Sequence, residues 1–426
     1  MSGAGEPAQA RIDGAAFLRE GDLPRLMAIL NDAGEEVRVV GGAVRNALLG
    51  LDVADVDLAT TALPQVVVDR ATAAGFNPVP TGIKHGTITV VVEGKPFEVT
   101  TLRADIETDG RHAVVRFGRD FAEDALRRDF TINALFATAD GRVFDYTGGI
   151  ADLAARHVRF IGDAGRRIRE DYLRILRFFR FHAVYGEGEP DRAGFDAAVR
   201  ERHGLARLSR ERVSAELMKL LVARRAAPAA AAMSEAGLLG PLLGGIAMPA
   251  RLGRVADIEA ARGKAPDAIL RLAALALTTV EDADRLREAL RLSNEAWRRL
   301  AEMAGALAKL HGRTGLPSAA ELTELLFLNG RRTAKDALTL AHAESAAAVE
   351  DAEWSAARHH LNETPQPRLP ISGADILARG IPSGARVGEV LKALQARWIR
   401  AGFPREPATL ADLLDEVVGA VGRRAT

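Results

Sequence analysis

The chain has 426 residues, 48% of them apolar, which is enough for about two to four domains with a sizeable core. Lysine plus arginine and aspartate plus glutamate both total 57, so the net charge is zero. A uniformly basic nucleic-acid binder is thereby excluded, and any polyanion must be met by a local patch. Cysteine is absent, which excludes disulfides, thiolate metal sites and cysteine nucleophiles.

The opening MSGAGEPAQARIDG has no basic start followed by an apolar run, so no secretory signal is expected. Residues 1–30 read as an N-terminal extension and the start of a first helix. Apolar stretches such as 269–280, interrupted by Arg271, are too short to span a bilayer, and a cytoplasmic location is the simplest expectation. From Val37 to about Arg159, short β-rich runs alternate with turns. Residues 37–40 form a strand that ends in Gly41-Gly42, and helical patterns follow at 43–49 and 64–74. Residues 87–92 and 97–102 read as strands joined by a hairpin turn at Glu93-Gly94-Lys95-Pro96. This predicts a mixed α/β unit at 31–160.

After about Gly162 the strand signal ends. Helices are expected at 166–184, 209–222 with Ser209 as N-cap, 265–277, 280–292 and 294–310. Loops are expected at 186–191, 362–370 and 380–388, the last preceding a final helical pair. The organisation is α+β: an α/β head, a helical neck at 161–225, and a helical body and tail at 226–426.

The most informative stretch is VVGGAVRNALLGLDVADVDLAT at 39–60. Glycines let a backbone approach phosphate closely, and a helix start offers free N–H groups to an anion. Arg45, one turn in, would clamp the same charge, although Gly-Gly before a helix also serves as a plain turn. Asp55-Val56-Asp57 adds chemistry. On a strand, residues two apart share a face, and two carboxylates on one face can hold a hard divalent cation. An edge strand with two solvated aspartates is the bland alternative. Burial beside Val56 and Leu58 would give two like charges a cost that a metal relieves. Glu98, in Phe97-Glu98-Val99-Thr100-Thr101, is a third candidate if its strand lies beside that pair; an outward-facing glutamate is the alternative.

Gly41-Gly42-Ala43-Val44-Arg45 with Asp55-Val56-Asp57 resembles the head of the bacterial CCA-adding enzyme and poly(A) polymerase family, within the polymerase-β-like nucleotidyltransferases. The resemblance continues through Lys84-His85-Gly86-Thr87, residues 97–103, Arg127-Arg128-Asp129-Phe130-Thr131-Ile132-Asn133-Ala134-Leu135 and Asp145-Tyr146-Thr147-Gly148-Gly149. It ends with Glu170-Asp171-Tyr172-Leu173-Arg174 and Ser209-Arg210-Glu211-Arg212. Residues 371–400 are similar to the C-terminal part of some members. Asn46 departs from the family, which often has aspartate there.

The resemblance implies a polymerase-β-like head with a mixed sheet, followed by an all-α neck, body and tail. It implies template-independent addition of CCA to the tRNA 3′ end from CTP and ATP, with Mg²⁺ held by Asp55 and Asp57. Glu98 joins them as a catalytic candidate, and Gly42 and Arg45 hold phosphates. Arg128 would contact the incoming nucleotide and Asp129 its ribose. Asp171, Arg174, Arg177 and Arg180 would present fixed groups to the base and nearby phosphates. Read from the residues alone, Asp171 and Arg174 are an i,i+3 ion pair on one helix, Leu173, Leu176 and Phe179 are its buried stripe, and Arg128–Asp129 is a surface pair.

From Arg156 to Arg212 there are 14 arginines and 9 acidic residues, a surplus of +5 that suits an RNA end. Poly(A) synthesis, CC-only or A-only addition, and an inactive RNA-binding relative share these motifs. The missing long basic tail and the 103–127 loop favour the CCA-adding type. Intact Asp55 and Asp57 argue against the inactive relative. His85 is expected to order a loop; neither it nor His112 has a second histidine at metal-ligand spacing.

Overall fold

The computed structural model describes residues 8–83, 86–108, 113–313 and 315–422; Lys84, His85 and His112 lie outside them. The chain forms two compact units, Met1–Gly245 and Ile246–Thr426. Among the described residues, ten strands occur in the first: β1 (Ala8–Arg11), β2 (Val37–Val40), β3 (Asp57–Thr60), β4 (Asn77–Gly82), β5 (Thr87–Val92), β6 (Lys95–Thr101), β7 (Arg103–Thr108), β8 (Ala113–Phe117), β9 (Leu135–Ala137) and β10 (Arg142–Asp145). Eight of them make one sheet in the order β1-β10-β9-β2-β3-β6-β5-β4, and β7 pairs with β8 separately. The sheet is mixed, because β3 runs parallel to β6 while its other pairings are antiparallel.

Local chemistry explains most of this. Strand β2, with Val37, Val39 and Val40 buried, lies between β3 and β9. The β5–β6 hairpin turns on two residues, Glu93 (φ 49°) and Gly94 (φ 84°), not the four expected. Paired positive φ values match the twist of the flanking strands. Pro96 sits on β6, before the stretch from Glu98 to Thr101 that pairs with β3. Strand β1 was not expected; it pairs with β10.

After β10, the Asp145 carboxylate accepts backbone N–H groups from Thr147, Gly148, Gly149 and Ile150 at 2.9–3.0 Å, organising the start of the Gly149–Ala154 helix. Gly149 is required by packing, since a Cβ there would lie 2.2 Å from the Thr131 carbonyl oxygen. That close approach presses the turn against the 127–135 segment.

The single helix expected over 166–184 is two: Ala164–Glu170 and Leu173–Tyr185. Asp171 between them is extended (φ −155°, ψ 108°). The Tyr172 ring lies over Gly204, where a Cβ would be 1.9 Å from its Cδ1, so the break is fixed by a distant glycine. Leu173, Leu176 and Phe179 are buried as expected, but so are Ile175, Phe178 and Phe181. One side of the Leu173–Tyr185 helix meets Phe130 and Phe160, with ring centroids 5.3–6.4 Å apart. Other parts pack on the Arg210–Leu221 and Ala226–Glu235 helices. Ser209 caps the former, accepting from Arg212 N.

The second unit is helical among its described residues. Ala268–Ala276, Val280–Leu290 and Asn294–Leu307 fall within expected segments; Pro249–Ala261, Ala319–Glu344 and Ala352–Glu363 were not singled out in the sequence. The expected 380–388 loop is shorter, because the Ala385–Arg400 helix begins inside it. The long Ala319–Glu344 helix is broken at Gly330 (φ 74°, ψ 165°), a conformation that needs glycine. Among the described residues, no helix is long and apolar enough to cross a membrane.

Candidate nucleotidyl-transfer site

Gly41 links β2 to the Gly42–Leu48 helix with φ 73° and ψ −116°, and its N–H donates to the Leu135 carbonyl. Only glycine adopts such a conformation without strain. Gly41→Ala should therefore cost about 1–3 kcal/mol in urea unfolding, although its Cβ would find space, 3.5 Å from the nearest atom.

Strand register brings the carboxylates to this turn. Asp57 pairs with Val40 on one side and with Glu98 on the other. The β-strand expectation for Asp55-Val56-Asp57 is met only at Asp57, because β3 begins there and Asp55 lies in the segment leading in. Both aspartates and Glu98 are solvent-exposed rather than buried as the sequence had suggested, and partial desolvation of Asp57 together with mutual repulsion supplies the reason for a cation. Partial desolvation raises the Asp57 pKa, and the nearby charges of Glu98 and Asp55 raise it further, against the lowering effect of Arg128. Asp55, Asp57 and Glu98 therefore form an open acidic edge.

Arg128 is close enough for its charge to act on Asp57. Its Nε and Nη2 donate to Asp124 Oδ2 at 3.1 and 2.9 Å, and a Cβ on Gly41 would lie 3.8 Å from its Nη1. Its partner is thus Asp124, not the neighbouring Asp129 of the surface-pair reading. Burial would raise the Asp124 pKa, but Arg128 and Arg127 together hold it low.

Arg45 does not face open solvent. It is 6% exposed, donates to Tyr185 Oη at 2.6 Å and to Asn133 Oδ1, and lies 4.0 Å from the Tyr185 ring centroid. Burial lowers its pKa, partly offset by Tyr185. Asn133 in turn donates to Asp129 Oδ1 at 3.0 Å, and Arg177 donates to Asp129 Oδ2 at 2.6–2.8 Å. One continuous network runs from the glycine-turn helix through Asn133 and Asp129 to the Leu173–Tyr185 helix. Asn46 extends it, accepting from Arg45 and Tyr185 and donating to the Asp52 carbonyl ahead of Asp55.

The neck residues are all engaged. Asp171 accepts from Leu173 N at 3.1 Å and from Arg212 at 2.7 Å. Arg174 pairs with Glu170 at 2.5 Å, so the expected Asp171–Arg174 pair is absent; the helix break turns Asp171 away. Arg180 pairs with buried Glu216 at 2.6 Å. Asn133 and Glu170 stand inside motifs quoted from the sequence but carried no assigned role; Tyr185, Asp124 and Glu216 gave no local signal.

A family model described as "Poly A polymerase head domain" matches residues 37–159, and one described as "Probable RNA and SrmB- binding site of polymerase A" matches residues 194–248. The mitochondrial CCA tRNA nucleotidyltransferase 1 of Mus musculus is 35% identical over 393 residues, covering 90% of this chain and 87% of its own. The chain belongs to the CCA-adding enzyme and poly(A) polymerase family. The CCA-adding enzyme of Leuconostoc citreum is 38% identical over 239 residues, 54% of this chain and 56% of that one. The solved CCA-adding enzyme of Bacillus stearothermophilus, in complex with CTP, superposes with TM-score 0.70 at 28% identity over 94% of this chain and 98% of its own. That of Thermotoga maritima, complexed with tRNA, shares the fold (TM-score 0.67, 20% identity, 97% and 99% covered). The α+β head and helical remainder are thus those of the family. Its head model spans the glycine turn, the acidic edge, Arg128 and Asp129.

Proposed function

We propose that this chain adds CCA to the 3′ end of tRNA from CTP and ATP, releasing pyrophosphate. The carrying observation is the register that sets Asp57 between Val40 and Glu98, beside the Gly41 turn and within the field of Arg128. The names and extent of the similar proteins support the same substrate.

Asp55 and Asp57 offer exposed, crowded carboxylate oxygens, the hard donors that Mg²⁺ takes, commonly with substrate phosphates completing the shell. Among the described residues no group of three or more such side chains is placed to hold a metal alone, so in this reading the triphosphate supplies the remaining ligands. When bound, the cation lowers the pKa of the attacking 3′-hydroxyl and offsets phosphate charge. The hydroxyl oxygen forms a bond to the α-phosphorus, the bond to the β-phosphate oxygen breaks, pyrophosphate departs, and the proton goes to water. Glu98 keeps the acidic edge negative. Gly41 and Gly42 admit phosphate to the helix start, which Arg45 braces from beneath. Arg128 meets the nucleotide's charge and Asp129 its ribose. Asp171 and Arg174 read the base after exchanging Arg212 and Glu170, with Arg177 and Arg180 behind them. In this scheme residues 31–160 are the head, 161–225 the neck and 226–426 the body and tail, acting in the cytoplasm.

Incubating the chain with tRNA lacking its 3′ CCA and labelled CTP and ATP should give two C additions, one A, and arrest. Long ATP-only products would reassign it to poly(A) synthesis, and products that stop after CC or need only ATP would narrow it to a partial activity. Retained tRNA binding without product would make it an inactive relative.

A further inference from the structure

The segment from Leu51 to Val56 delivers Asp55 to the acidic edge, yet it has no regular structure and most of it is exposed. Two hydrogen bonds tie its start to Asn46. Leu51 N donates to the Asn46 carbonyl at 2.9 Å, and Asn46 Nδ2 donates to the Asp52 carbonyl at 3.1 Å. Among the described residues, Asn46 is the one side chain that hydrogen-bonds the backbone of this segment.

The amide of Asn46 is itself oriented from the neck. Its Oδ1 accepts from Tyr185 Oη at 3.1 Å and from Arg45 Nε and Nη2 at 3.2 and 3.1 Å, which leaves Nδ2 for Asp52. Tyr185 is buried at the end of the Leu173–Tyr185 helix, its ring stacked with Phe181 at 5.9 Å between centroids. Its hydroxyl accepts from Arg45 Nη2 at 2.6 Å. Satisfying buried Arg45 asks only for that acceptor. The one proton of the hydroxyl goes instead to Asn46, and so bears on the segment ahead of Asp55. Only an amide both accepts from Tyr185 and donates to a carbonyl; the aspartate often found at this position in the family would lack the second bond. Arg174, Arg177 and Arg180 stand on the same helix as Tyr185, and rigid elements joined by hydrogen bonds are what carry coupling between sites.

We propose that Tyr185 is a positioning residue. Through Asn46 it sets the segment that presents Asp55, so the helix that reads the nucleotide also places a carboxylate that holds the cation. The inference rests on the transfer reading given above. In it Tyr185 touches neither nucleotide nor cation.

The test uses the full chain with Tyr185→Phe, Asn46→Ala and the double variant. Phenylalanine keeps the ring and removes only the hydroxyl, and in Asn46→Ala the Arg45 guanidinium keeps Asn133 and Tyr185. Mn²⁺ binding is read by electron paramagnetic resonance with CTP present and RNA absent, so that no turnover occurs. Kd for Mn²⁺ should rise about threefold to tenfold in each single variant, the loss expected for one neutral hydrogen bond. The double variant should be no weaker than Asn46→Ala, because the hydroxyl acts through the amide. In labelled CTP incorporation kcat should fall in parallel, while Kd for tRNA stays that of the parent. Unchanged Mn²⁺ affinity in Tyr185→Phe would overturn the proposal, as would losses that add in the double variant, which would make the hydroxyl a support for Arg45 alone. Weakened tRNA binding with Mn²⁺ affinity intact would also overturn it. If Mn²⁺ affinity responds as described while the parent adds no nucleotide, the positioning role stands and the transfer reading fails.

Discussion

Asp57→Asn should lower nucleotide incorporation into tRNA about a thousandfold or more while the chain remains folded. The substitution keeps shape and removes a formal charge from the group placed between Val40 and Glu98. A preorganised electrostatic group facing developing charge is commonly worth two to three orders of magnitude, and loss of a metal-holding carboxylate adds to that. Folding should not suffer. The side chain is exposed, and its neighbours Asp55 and Glu98 repel it, so the thermal midpoint should match or exceed that of the parent. Single-turnover incorporation of labelled CTP, with circular dichroism melting on the same preparations, checks both parts. Retained full activity would remove the basis for the transfer mechanism.

Asp129→Asn should damage both stability and substrate choice. Asp129 is 9% exposed and accepts from Arg177, Asn133 and its own neighbour Phe130 N. Removing its charge leaves Arg177 without its closest counter-ion, at a cost of about 3 kcal/mol in urea unfolding at pH 7. Burial would raise the Asp129 pKa, but Arg177 and the Asn133 hydrogen bond more than offset that, and the net direction is down. A depressed carboxylate contributes stability above its unfolded pKa of about 3.9 and loses it as pH falls through the folded value. The difference between parent and variant should therefore hold from pH 7 down to about pH 4 and shrink below it. At neutral pH the variant should also discriminate less between CTP and dCTP, read as the ratio of kcat/KM values. Equal stability at pH 7 would show that the Asp129–Arg177 pair holds nothing.

Local signals were legible in the sequence. The β2 strand, the Gly41 turn, the β5 and β6 strands and the Ser209 cap each depend on residues within a few positions of one another. What escaped depends on partners far away in the chain. Arg45 reads as a phosphate clamp one turn into a helix, yet it is buried by Asn133 and Tyr185, 88 and 140 residues distant. The break at Asp171 was hidden because apolar spacing continues through it; Gly204 receives the Tyr172 ring and decides the matter. Asp55 and Asp57 alternate as a strand would, but pairing with β2 begins only at Asp57. The Asp57–Glu98 pairing needed knowledge that β3 and β6 run parallel, which no short-range pattern encodes.

Arg174, Arg177 and Arg180 already hold the carboxylates of Glu170, Asp129 and Glu216. In the proposed scheme a nucleotide read by Arg174 would displace Glu170 rather than meet a free cation, so few mobile ions would be released there and the charge of this helix would change little. CTP affinity should on this account be almost indifferent to ionic strength, so that in concentrated salt the chain would still recognise its nucleotide long after it had let go of its RNA.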